Sequence, residues 1–241
     1  MGAAACSSCA RKQPLHYAAA VGETRLARIL LDMGGSLNSR DTSGSTPLFI
    51  AAERGHTDTV KLLVSCGAEI ATQNASGETP FYVASLIGHT AVCRALIRAS
   101  DDWDSPTLYG DGWTPLMAAV LSNRTGLVVE LLQASKRKAL LMNATNRYGQ
   151  SALHLVARKG YMDLSEILLD HGADPSLKDA NGHDPCKVAK FHGHITLSKA
   201  LAEACSRFRK KGERESGRRS KKKKKKKEKK KDDDQFHLKE G

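Results

Sequence analysis

A tetrad built around proline recurs along this chain at nearly constant spacing, and a chain so patterned folds by stacking repeated units. The tetrads are Gln13-Pro14-Leu15-His16, Thr46-Pro47-Leu48-Phe49, Thr79-Pro80-Phe81-Tyr82, Thr114-Pro115-Leu116-Met117, Ser151-Ala152-Leu153-His154 and Asp184-Pro185-Cys186-Lys187. Their second residues are 33, 33, 35, 37 and 33 positions apart. Eight residues after each stands Gly22, Gly55, Gly88, Asn123, Gly160 or Gly193. From the second unit on, Gly44, Gly77, Gly112, Gly149 and Gly182 stand two residues before the tetrad.

The unit can be read from these residues. Proline at a helix start loses no intrahelical hydrogen bond, and the residue before it can cap the helix. The glycine eight residues on ends that short helix with a left-handed residue. A second helix follows, with apolar residues three and four apart: Val60, Leu62, Leu63 and Val64 in the second unit. Asp41 to Gly44, or Asn74 to Gly77, then makes a tight turn. Helices are expected over 14–21, 25–32, 47–54, 58–65, 80–87, 91–98, 115–122, 126–133, 152–159, 163–170, 185–192 and 196–209. A helix pair of this size cannot bury its apolar faces alone, so it stacks on its neighbours. Leu62 and Leu168 are expected in the core between units.

These units resemble ankyrin repeats, whose first helix opens Thr-Pro-Leu-His at a period of 33. The resemblance runs over residues 10–206 and implies an all-α solenoid of six helix-turn-helix units with short β-turn tips. The departures are local: Asn123 for glycine, Ala152 for proline, Cys186 for leucine, and extra residues at Trp103–Leu108 and Lys136–Leu141 that lengthen two turns. The last helix carries Ser198, Lys199, Glu203 and Arg207, as a polar outer face would need. The organisation expected is an N-terminal segment over 1–12, the repeats over 13–206 and a tail over 207–241.

Charge separates tail from body. Residues 207–241 carry 18 Lys and Arg against 7 Asp and Glu, and the rest of the chain carries 20 against 19. So basic a block cannot collapse into a core. Six cysteines are scattered, and Cys66, Cys93, Cys186 and Cys205 fall inside apolar segments, where they read as small buried hydrophobes in a reducing compartment. No apolar run reaches the roughly 18 residues of a membrane span, and the N-terminus lacks an apolar stretch of secretory type. The cytoplasm is therefore expected, with a membrane surface or the nucleus as the places to which the ends could direct the chain.

The motifs of chemistry are absent: no phosphate-cradling glycine loop, nucleophile elbow or zinc-binding His pair. Neither an enzyme nor a cofactor is expected. The resemblance makes His16, His56, His89, His154 and His194 structural. Cys186, His192, His194 and Cys205 match no closed zinc spacing.

The resemblance further implies that a partner protein meets the concave face, built of turn tips and the exposed side of each first helix. It places Trp113, Tyr148 and Gln150 on tips, and Leu86, Ile87, Leu121, Arg158 and Lys159 on first helices. Apolar clusters rimmed by charge mark interaction sites; the alternative is that Leu86, Ile87 and Leu121 tuck between repeats. The two ends would set location. Gly2, followed by small residues, approaches the N-myristoylation pattern with Cys6 where Ser or Thr is preferred, and Cys6 and Cys9 are then palmitoylation candidates. The polybasic block is Arg218, Arg219, Lys221, Lys222, Lys223, Lys224, Lys225, Lys226, Lys227, Lys229, Lys230 and Lys231. It suits an anionic membrane, nuclear import or sequence-blind contact with nucleic acid; otherwise it only aids solubility. The function expected is an intracellular adaptor; the other reading is a nuclear regulator or an inhibitor of a partner enzyme. A monomer is expected.

Overall fold

The computed structural model describes residues 13–100, 103–104 and 112–210. Among them every regular element is a helix. In chain order they are α1 (Pro14–Val21), α2 (Thr24–Asp32), α3 (Pro47–Glu53), α4 (Thr57–Ser65), α5 (Pro80–Ile87), α6 (Thr90–Ala99), α7 (Pro115–Leu121), α8 (Thr125–Ala134), α9 (Lys138–Asn143), α10 (Ala152–Lys159), α11 (Met162–Asp170) and α12 (Pro185–Phe191). A last helix, α13, spans 195–210. Each expected helix is present.

The sequence signals act as physical caps. Thr46, Thr79 and Thr114 accept from the backbone N–H groups of Phe49, Tyr82 and Met117 at 3.2, 3.1 and 3.3 Å. Asp184 accepts from Lys187 N–H at 2.8 Å. Each such cap contributes about 1 kcal/mol. Gln13, which stands in their place at α1, makes no side-chain cap. Asn123 adopts the left-handed backbone of the glycines it replaces, at φ 53°, a conformation asparagine tolerates.

The tips share one construction. Asp41, Asn74, Asn146 and Asp179 each accept from two backbone N–H groups, two and four residues ahead. Neighbouring tips are joined by the backbone: Ala75 donates to Ser43 O and Ala180 to Tyr148 O, both at 2.9 Å. The inner helices α1, α3, α5, α7, α10 and α12 pack in succession, and α2, α4 and α6 form part of the outer layer. One apolar core runs from Leu15 to Leu201, with Leu62 and Leu168 buried in it as expected.

Five histidines link repeats. His16 and His154 place Nε2 3.0 Å from the carbonyl oxygens of Ser45 and His183 in the next tip. His56, His89 and His194 place Nε2 3.1, 3.0 and 3.3 Å from Ala20 O, Glu53 O and Arg158 O in the preceding repeat. In the fourth repeat Arg124 does the same work, donating to Ile87 O at 2.9 Å.

Three expectations are corrected. The extra residues at Lys136–Leu141 do not merely lengthen a turn: they enter α9, which buries Leu141 and Met142. This insertion meets the one before it. Buried Asp104 accepts from the Ser135 hydroxyl at 2.7 Å and from Arg137 N–H at 2.8 Å, and the Arg137 guanidinium lies 3.4 Å away. Beside it Trp103 is buried with its ring centroid 5.4 Å from that of Phe81. Second, Ser198 is not part of a polar outer face. It is buried, and its hydroxyl donates to Cys186 O at 3.1 Å. Third, only Cys93 of the four cysteines is fully buried; Cys66 is exposed, and Cys186 and Cys205 are half-buried. Burial pushes the Cys93 thiol up to about 11, so it stays protonated.

Candidate protein-binding surface

The tips and inner helices form the surface on which the expected binding residues lie. Tyr148, at the tip before α10, is exposed. Its ring has the Arg147 guanidinium 4.9 Å from the centroid, and Arg147 donates to its hydroxyl at 2.8 Å. This contact orients a large aromatic side chain that remains open to solvent. Gln150, two residues on, is half-buried; its carbonyl oxygen accepts from the Asn146 side chain at 3.3 Å, so it braces the tip.

Trp113 is half-buried and leans on the core. Its ring meets Tyr82 edge-on, at 6.1 Å and 62°. Part of the ring stays open to solvent while the rest packs on the repeat before it. The first-helix residues divide similarly. Ile87, Arg158 and Lys159 are exposed, whereas Leu86 and Leu121 are half-buried, Leu121 against the core. For Leu121 the inter-repeat contact is thus the main one.

The sequence reading missed Phe191. It stands six residues after Pro185, as Leu86, Leu121 and Arg158 stand in their own repeats, and it is 83% exposed. Extending that column to the last repeat would have found it. Neither α10 nor α12 contains a carboxylate, while Arg158, Lys159, Lys187 and Lys190 on them are exposed. The corresponding helix of the second repeat, α3, ends on Glu53. The inner helices are therefore basic and aromatic toward the C-terminal half, while the tip before α12 carries Asp179 and Asp184.

Cys186 and His194, considered for zinc, are otherwise engaged. The Cys186 thiol lies 3.3 Å from Ser198 O, and His194 reaches Arg158 O. Among the described residues no group of three or more His, Cys, Asp or Glu side chains gathers to hold a metal. No helix among them is long and apolar enough to cross a membrane. Gly2, Cys6, Cys9 and the block from Arg218 to Lys231 lie outside the described residues.

Stacked helix pairs with bonded tips and an exposed inner face define a repeat scaffold that binds proteins. The chain belongs to the ankyrin-repeat family: the family model described as ankyrin repeats (3 copies) matches residues 2–74 and 66–140, and the single ankyrin repeat matches 148–180. It is similar to NF-kappa-B inhibitor alpha of Homo sapiens, 28% identical over 45% of this chain and 34% of the inhibitor. An ankyrin repeat domain from Acinetobacter baumannii matches with a TM-score of 0.67 at 26% identity, over 79% of this chain and 97% of that one. A chain of the complex between a predatory endopeptidase of Bdellovibrio bacteriovorus and an immunity protein matches with a TM-score of 0.66 at 31% identity, over 78% and 96%. The matched stretch spans no more than 34% of the length of the first curated relatives.

Proposed function

We propose that this chain is an adaptor that seats a segment of a partner protein across the inner face of its fourth to sixth repeats. The observation that carries the reading is the pairing of two open aromatic rings, Tyr148 and Phe191, with exposed cations on helices that hold no carboxylate. Aromatic and arginine side chains are the favoured anchors of protein interfaces. Such a face suits a segment that carries apolar and acidic side chains together. Ile87, Arg158 and Lys159 border it, and Trp113, Gln150, Leu86 and Leu121 shape it from below.

The similarity to an inhibitor and to a chain of an immunity-protein complex supports a second form of the same reading. There the partner is an enzyme or regulator held inactive, and the lysine block carries the chain to the nucleus. In the adaptor form, acyl groups on Gly2, Cys6 and Cys9 hold the chain at a membrane and the lysine block adds salt-dependent attraction. Imaging the Gly2→Ala variant and a variant lacking the lysine block separates the two. Release from membranes by Gly2→Ala favours the adaptor; a nucleus emptied only by loss of the lysines favours the regulator.

The inner-face reading is tested by quantitative affinity capture from cells, with wild type and Tyr148→Ala/Phe191→Ala chains, followed by titration of the captured protein. The double variant should bind about thirtyfold more weakly or worse, equivalent to about 2 kcal/mol, with its melting curve unchanged. Equal binding by both chains would remove this face from the interaction.

A further inference from the structure

The register of the repeats allows each position of the first to be compared with its equivalents. Counted from Gly22 and Gly55, Leu26 and Ile29 of α2 correspond to Thr59 and Leu62 of α4. Thr59 and Leu62 are 1% and 4% exposed, and the Thr59 hydroxyl faces back to that of Thr24 in the first repeat at 2.9 Å. Leu26 and Ile29 are 37% and 55% exposed. Tyr17 is half exposed, whereas Val83, Leu155 and Val188 in its register are buried. The first repeat thus presents the apolar side chains of an inner stacking face to solvent. Contiguous exposed apolar side chains mark an interaction site.

The chemistry of α2 points to what covers this face. Leu26, Ile29, Leu30 and Met33 fall at positions i, i+3, i+4 and i+7, the spacing of a helix-pairing seam. Leu30 is half-buried against its own core, and the other three are exposed. Arg25 and Asp32 lie seven residues apart on one flank of the seam, both exposed. In an antiparallel pair of such helices, Leu26 of each meets Met33 of the other, and the Ile29 side chains meet near the axis. Arg25 of each copy then stands opposite Asp32 of the other, twice over. A two-fold axis requires that kind of self-complementarity.

We propose that the N-terminal face of the first repeat is a homodimer interface, in which α2 packs antiparallel against α2 of a second copy and Tyr17 borders the contact. The patch is small beside the roughly 800 Å² per partner of a standard interface, so the dimer is weak and forms as concentration rises. The proposal uses α1 and α2 alone and is independent of the inner-face reading. It replaces the monomer expected from sequence.

Analytical ultracentrifugation of the full chain over a dilution series tests it. The average mass should climb from 26.1 kDa toward twice that value. Ile29→Lys should raise the dissociation constant about tenfold or more and leave the melting curve unchanged. Arg25→Asp and Asp32→Arg should each weaken the dimer, and the two together should restore it. A wild-type chain that stays monomeric throughout, or a dimer indifferent to Ile29→Lys, overturns the proposal. Failure of the charge reversal to restore pairing overturns the antiparallel arrangement. A dimer that appears only after deletion of residues 2–12 would show that those residues occupy the face, and overturns it as well.

Discussion

His56 sits so close to Gly22 that a Cβ on that glycine would lie 2.5 Å from the imidazole Nδ1, while Nε2 is 3.1 Å from Ala20 O. The same relation joins His89 to Gly55 and His194 to Gly160, and the Arg124 guanidinium takes the place of the imidazole against Gly88. In the sequence the glycine and histidine are neighbours, as in Gly55-His56. In the structure each histidine serves the glycine of the repeat before it. One dipeptide therefore does two jobs: its glycine receives the next repeat, and its histidine reaches the previous one.

Gly22→Ala should show how much this contact weighs. Gly22 and Gly67 both hold left-handed backbone, at φ 79° and 90°, but a Cβ on Gly67 meets nothing within 4 Å. Gly67→Ala should cost about 1 kcal/mol, the backbone term alone. Gly22→Ala should cost about 3 kcal/mol, because the imidazole must also move and lose its carbonyl. Denaturant midpoints of the two variants provide the comparison. Equal losses would mean that His56 yields freely.

Gln13→Thr should stabilise the first repeat. Thr46, Thr79 and Thr114 cap α3, α5 and α7 in that position, and Gln13 makes no such bond to α1. A threonine hydroxyl there would accept from His16 N–H, which now reaches the Gln13 carbonyl at 3.1 Å, for a gain of at most about 1 kcal/mol, set against the lost Gln13 side-chain bond to Arg40 O. Hydrogen exchange of the α1 amides before and after the change measures it; unaltered protection would mean that the threonine does not cap α1.

The repeats were legible because proline, glycine and the tip residues each act locally. Thr46 caps its own helix, and Asn74 bonds its own turn, so spacing alone locates them. What was not legible depends on neighbours in space. The six residues of α9 are too few to show a helical period. Asp104 and Arg137 come from two insertions and stand 33 residues apart, and nothing in either predicts that they meet. Leu121 and Ile87 look alike in sequence, yet one rests on the core and the other faces solvent. Phe191 and Ile29 read as ordinary apolar residues; their exposure follows from what is stacked beyond them.

Asp104→Ala should uncouple the two insertions. Burial raises the Asp104 carboxyl, but hydrogen bonds from Ser135 and Arg137 together with the Arg137 charge outweigh it and hold the group below its usual 3.8. A carboxyl lowered on folding contributes stability above its unfolded value, and that contribution is lost as pH falls through the folded value. The variant should lose about 3 kcal/mol at neutral pH, since the buried Ser135 hydroxyl loses its acceptor and the Arg137 amide keeps only the Ser135 oxygen, 3.1 Å away. It should also lose part of the wild-type decline below pH of about 4. Urea melts at pH 7 and pH 3 check both, and a variant with the wild-type acid slope would exclude Asp104 as the group responsible.

His154 should set a pH dependence of the same sign in a higher range. The backbone N–H of Ser151 donates to Nδ1 at 3.2 Å, so Nδ1 is the bare nitrogen, and Nε2–H donates to His183 O. A second proton would have to sit on Nδ1, facing the Ser151 N–H. Burial lowers the His154 value from 6.5, against smaller opposing effects of the His183 carbonyl, Asp179 and Asp184. The unfolded chain then binds more protons than the folded one just below that pH, so stability rises with pH across the window. The contribution is complete above 6.5 and is lost progressively as pH falls toward the folded value. His154→Gln should lower stability at neutral pH, because the ring's contacts with the Ser151 amide, the Ser151 hydroxyl and His183 O cannot all be kept, yet flatten the decline between neutral and mildly acid conditions. Midpoints of denaturation measured across that range for both chains make the comparison. Parallel curves would place the proton uptake on another group and leave His154 a tie between repeats with no part in acid sensitivity.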